Sequence, residues 1–127
     1  MQGVEKMKNH YQIIFGLMFF FISGLAWGSG VTAEGTISYL ELNTNSVFVQ
    51  IRDGAGNLIK TDPDSCGRDY GFQLSLSHPN FNALSSGLLS AYVSGKKVTL
   101  NLNGCAGTPG NTWPLISYVI FGSYGTN

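Results

Sequence analysis

The stretch that most constrains this chain is residues 81–105, FNALSSGLLSAYVSGKKVTLNLNGC, where a helical period gives way to a strand period and the strand ends on a cysteine. Phe81, Leu84, Leu88, Ala91 and Tyr92 recur at the spacing that lays one apolar stripe along an α-helix. Gly95 stands just past the last of them and is followed by Lys96 and Lys97, which fits a left-handed C-cap with cations at the negative end of the helix. Val98, Leu100 and Leu102 then alternate with Thr99, Asn101 and Asn103, the pattern of a strand with one buried face, and Asn103-Gly104 reads as its stop. The unit is therefore helix, glycine hinge, half-buried strand and covalent anchor, and the remaining chain has to supply strands for it to pack against.

The anchor implies a compartment. Lys6 and Lys8 precede an apolar run over residues 13–26, and Val31-Thr32-Ala33 is a small-residue cleavage signal ahead of Glu34. The run is broken by Gly16, Ser23 and Gly24 and is shorter than the roughly 20 residues a spanning helix needs. Residues 1–33 are accordingly read as a signal peptide and 34–127 as a single secreted or periplasmic domain, with membrane contact only during export. A domain of about 94 residues sits near the size at which one core is barely sufficient. Cys66 and Cys105 are the only two cysteines, and an exported chain meets an oxidising environment, so they are expected to form a disulfide. Closing a loop of about 40 residues stabilises by roughly 4 kcal/mol on the chain-entropy model. A metal pair is the poorer reading, because no nearby His or third Cys completes a ligand set.

Over residues 34–127 five basic side chains face six acidic ones. A nucleic-acid partner is not expected at that balance, because phosphate neutralisation supplies most non-specific affinity. A surface low in charge and rich in Asn, Ser, Thr, Gly and Tyr suits neutral polar ligands such as sugars.

In chain order, residues 36–42 (TISYLEL) read as a strand with apolar residues on both faces, 43–46 as a turn, and 47–52 as a second strand that pairs with the first as a hairpin. Residues 61–68 (TDPDSCGR) form a surface loop brought in at Cys66. Its Asp62 and Asp64 invite a calcium reading, but the downstream Gly and late Glu of such a loop are missing, so no metal or other cofactor is expected. Tyr70, Phe72, Leu74 and Leu76 alternate as a third strand, and Ser77 or His78 caps the helix with Pro79 in its first turn. After Cys105, AGTPGNTW is a Gly/Pro loop that carries Trp113, and residues 115–121 (LISYVIF) are a final strand. The fold expected is mainly β with one helix: a five-stranded OB-like Greek-key barrel with the helix between strands 3 and 4.

The helix-to-strand unit with Phe81, Leu84, Ala91, Tyr92 and Ser94-Gly95, followed by Val98-x-Leu100 and then Thr112-Trp113-Pro114, resembles the binding subunits of bacterial pentameric A–B toxins of the subtilase cytotoxin and typhoid toxin type. Phe48, within Val47-Phe48-Val49-Gln50-Ile51, matches an aromatic-containing second strand, and Cys66 matches a cysteine before the third. The resemblance implies an OB fold, a homopentamer with helices lining its centre, glycan or cell-surface receptor binding on the outer face, and a toxin A subunit as partner. Two positions depart from that pattern: only Glu34-Gly35 stands where those subunits carry a sugar-contacting serine, and Cys105 follows the fourth strand.

Trp113 and Tyr70 are the candidate ligand-binding residues, since aromatic rings stack on sugar C–H faces, with plugging of one barrel end as the bland role for Trp113. Ser85, Ser86, Leu89, Ser90 and Val93 lie off the apolar stripe and are the candidate oligomer contacts, small residues allowing close approach of another helix. No catalytic residue is expected. His78 reads as a helix-cap residue, and no motif activates a serine as nucleophile. A non-catalytic, glycan-directed, homo-oligomeric binding module is the leading expectation. A periplasmic or surface structural domain that binds another protein is the alternative, and a small hydrolase built on His78 comes third.

Overall fold

The computed structural model describes residues 30–122. Residues 1–29, which hold nearly all of the expected signal peptide, lie outside them. Among the described residues no helix is long and apolar enough to cross a membrane.

The described residues are mainly β with one helix. Its elements are β1 (Gly30–Val31), β2 (Gly35–Leu42), β3 (Ser46–Arg52), β4 (Phe72–Ser75), α1 (Phe81–Ser94), β5 (Lys97–Thr108) and β6 (Asn111–Phe121). Among the described residues the strands number six, not the expected five, because Gly30–Val31 joins the sheet as a short additional strand. β2 pairs with β3, β3 with β4 and β5 with β6, all antiparallel, and β4 pairs with β6 in parallel. β5 also pairs with β2, so the ladder returns on itself: β2, β3, β4, β6, β5, β2.

Alternation does most of the folding work. On β3, Val47, Val49 and Ile51 point inward and are buried, while Phe48 and Gln50 are half-buried on the other face. Phe72 and Leu74 from β4, Val98, Leu100 and Leu102 from β5 and Ile116 from β6 meet them in one core. β2 looked apolar on both faces because it changes phase. A bulge between Ile37 and Tyr39 lets Ile37 and Leu40 both reach the core and turns Tyr39 outward.

The helix closes the core with Leu88 and Ala91, and Phe81 and Leu84 pack partly against it. Gly95 takes the left-handed C-cap at φ 68°, and the Gly95 and Lys96 N–H groups both reach back to the Ala91 carbonyl, which satisfies that end of the helix. Two helix expectations need correction. The N-cap is Asn80, with no side-chain capping bond, and neither Ser77 nor His78 occupies that position. Tyr92 is 44% exposed, because it lies about 40° around the helix from Leu88, on the side away from Ala91, at the border of the stripe.

The largest departure lies after Leu102. Asn103-Gly104 does not stop the strand. Gly104, at φ 83°, sits in an irregular step of the ladder, and β5 runs on to Thr108. The chain turns at Pro109-Gly110, with Gly110 also at φ 83°, and Asn111 pairs with Thr108. The residues read as a loop are thus a two-residue hairpin, and Trp113 stands on a strand opposite Ala106. Likewise Leu76 falls outside β4 and is 52% exposed.

Candidate functional site

On the outer face, β2, β3 and the β5–β6 hairpin bring four aromatic rings together with the loop before β4. Phe48, on the outward phase of β3, meets Trp113 edge to face at 4.9 Å, and Tyr70 meets the same indole at 4.8 Å. Tyr39 extends the row, 6.1 Å from Phe48. The Arg68 guanidinium carbon lies 4.8 Å from the Trp113 ring centroid, a cation–π distance. Tyr39 is 45% exposed and Tyr70 38%, so solvent reaches both ends of the row.

Phe48 needs room to lie there, and Gly71 supplies it. A Cβ at position 71 would stand 2.1 Å from Phe48 Cζ. Trp113 is placed by the hairpin, opposite the small Ala106. Tyr70 and Arg68 come from loop 61–71, which carries no regular strand and is held by a set of specific bonds. The disulfide Cys66–Cys105 ties it to β5, with Cα atoms 5.5 Å apart. Asp62 accepts the Cys66 and Gly67 N–H groups at 2.7 and 3.0 Å, and Asp64 accepts the Gly104 N–H at 2.7 Å. The Thr112 hydroxyl donates to the Cys66 carbonyl, one residue before Trp113. The two aspartates that suggested a calcium loop therefore spend their carboxylates on backbone N–H groups around the disulfide.

At the open end, the Tyr39 hydroxyl donates to Glu41 Oε2 at 2.6 Å. That bond, followed by the nearby carboxylate charge, raises the Tyr39 phenol above its ordinary pKa. The same bond, with a second from the Asn43 side chain, holds the Glu41 carboxyl below its ordinary range. The face thus combines flat apolar rings, a fixed carboxylate and a guanidinium.

Trp113 and Tyr70, singled out in the sequence, are brought into contact. Phe48, Arg68, Tyr39 and Glu41 join them and were not singled out as ligand contacts, although an aromatic on the outward phase of a half-buried strand is a readable signal for Phe48. The candidate oligomer residues fall on α1, the one helix among the described residues. Leu89 is 43% and Val93 77% exposed, Ser86 and Ser90 are exposed, and Ser85 is half-buried with its hydroxyl donating to the Asn82 carbonyl.

His78 lies between two shallow concavities of about 490 and 240 Å³, the first lined by Leu76, Asn80 and Phe81 and the second by Ser75, Asn103 and Ser117. Both ring nitrogens are engaged. Nδ1 accepts the Asn80 N–H at 3.0 Å, so Nε2 carries the proton and donates to the Ser117 carbonyl at 2.6 Å. The ring pins the helix start to β6.

Comparison with known proteins returns no relative for this chain: no family model, no curated protein and no solved structure matches it.

Proposed function

We propose that this protein is an exported, non-catalytic binding module of OB-like type that takes a glycan on the face formed by Tyr39, Phe48, Tyr70 and Trp113. The observation that carries the reading is the contiguous row of four rings, three on sheet strands and Tyr70 from loop 61–71, with Arg68 and Glu41 at hand for hydroxyl groups. Aromatic planes attract the C–H faces of pyranose rings, and flanking charged groups fix orientation by hydrogen bonds. The OB-like reading is supported by the circular order of pairings, by the parallel β4–β6 pair and by the place of α1 between β4 and β5. Export is supported by the charged start and apolar run of the expected signal peptide, residues 1–33, and by the disulfide. Homo-oligomerisation, with a catalytic toxin subunit as a further partner, completes the likeness to toxin binding subunits.

A glycan panel tests the ligand. Immobilised sugars are exposed to the wild-type domain and to Trp113→Ala, with circular dichroism verifying the fold of both. Binding that falls at least about tenfold in Trp113→Ala, equivalent to roughly 1.4 kcal/mol, supports the reading. Absence of glycan binding, or binding indifferent to Trp113, overturns it.

A further inference from the structure

We infer that residues 30–33 belong to the mature domain and that the export cut falls upstream of Gly30, not after Ala33. The inference rests on the export reading and concerns where that export ends. Gly30 stands opposite Leu102 and Val31 opposite Asn101, while Gly35 stands opposite Val98 and Thr36 opposite Lys97. β1 and the start of β2 therefore run along β5 as one strand with a single slipped residue between them. Thr32 bridges the slip. It is 5% exposed, its N–H donates to the Leu100 carbonyl at 2.9 Å, and its hydroxyl oxygen accepts the Leu100 N–H at 3.0 Å.

Two side-chain requirements show that this segment is built into the fold. The Thr32 hydroxyl replaces the backbone acceptor that the slipped ladder cannot present, and apolar residues have no atom to do so. At position 30 any Cβ would stand 2.5 Å from Pro63 Cβ, so glycine is what lets Pro63 close over the strand. Pro63 lies between Asp62 and Asp64, in the loop that presents Arg68 and Tyr70 to Trp113. A cut after Ala33 would remove both partners of the Leu100 backbone groups and uncover Pro63. Residues discarded on export meet no packing requirement, yet positions 30 and 32 each meet one.

The sequence offers another cut. Ala26-Trp27-Gly28 ends the apolar run with small residues at the −3 and −1 positions, the same arrangement as Val31-Thr32-Ala33. Cleavage after Gly28 leaves Ser29 as the first residue and keeps β1 intact.

Expression of the full chain in a bacterial host with an oxidising periplasm, followed by intact mass and N-terminal peptide analysis of the exported protein, tests this. A first residue after Met1 and at or before Gly30 supports the inference, and an exported chain that keeps Met1 overturns it. Export with a first residue beyond Gly30, Glu34 included, overturns it and leaves the export reading standing. A chain that keeps Met1 and stays in the cytoplasm overturns the export reading and the inference with it. Ala33→Gln gives a second arm, since Ala33 is exposed and a long amide at −1 blocks a cut there. Unchanged processing of this variant is expected, and accumulation of its precursor overturns the inference.

Discussion

At Gly71 a single missing side chain lets an aromatic ring settle against the backbone. Because Phe48 is also held by Tyr39 and Trp113, a Cβ at 71 pushes the whole row and not one free ring. Gly71→Ala is expected to lower stability by about 1–3 kcal/mol, the usual cost of overpacking, and to change the near-ultraviolet circular dichroism of the aromatic cluster. A variant with an unaltered aromatic spectrum would show that Phe48 does not rest there. Tyr39 and Glu41 give a titration at the same scale. A carboxyl held below its ordinary range keeps its bond above the unfolded pKa and loses it as pH falls through the folded value. The Glu41 carboxylate, followed by NMR, should therefore titrate below a free glutamate, and Tyr39→Phe should move its midpoint back up. Coincident midpoints in the two proteins would remove the bond from the site. Trp113 was legible in the sequence as a large aromatic in an expected loop and Tyr70 as an aromatic opening an expected strand, whereas Arg68 was not, because nothing local says that a loop arginine will lie on a ring 45 residues downstream.

Among the elements, the helix and its glycine cap were readable because their signals are local: a period of apolar residues and one position that needs a left-handed backbone. The hairpin was not. Asn103-Gly104 and Pro109-Gly110 carry similar turn chemistry, and only pairing with β6 decides that the first becomes an irregular step and the second the turn. Loop 61–71 shows the same limit. Its cysteine was legible as an anchor, but the backbone bonds of Asp62 and Asp64 depend on residues brought close by that anchor. Replacing both Cys66 and Cys105 by Ser is expected to cost about 4 kcal/mol, measured by denaturant unfolding in non-reducing buffer. It should also loosen Arg68 and Tyr70 from Trp113, red-shifting the tryptophan emission of a domain that is still folded. A midpoint within error of wild type would refute the first expectation, and unchanged emission the second.

For the whole molecule, the ladder that returns on itself is covered on its inner side by the helix, whose own outer side is exposed. Residues 81–94 contain no charged side chain, although Leu89, Tyr92 and Val93 are exposed along that side. A helix that faces water alone ordinarily carries charges on its outer face, and this one carries apolar groups beside Ser86 and Ser90, small enough for close approach. A second copy of the chain is the occupant this composition favours, because identical uncharged faces meet without like-charge repulsion and α1 would pack on its symmetry mate. The expected result is a solution mass, by light scattering of the oxidised protein, at a multiple of the subunit. Leu89→Asp combined with Val93→Asp should bring it down to the single chain without altering the circular dichroism, since both side chains lie outside the core. A wild-type protein that stays monomeric at high concentration would remove the oligomer from the proposed function while leaving the aromatic face to be judged by its own binding experiment.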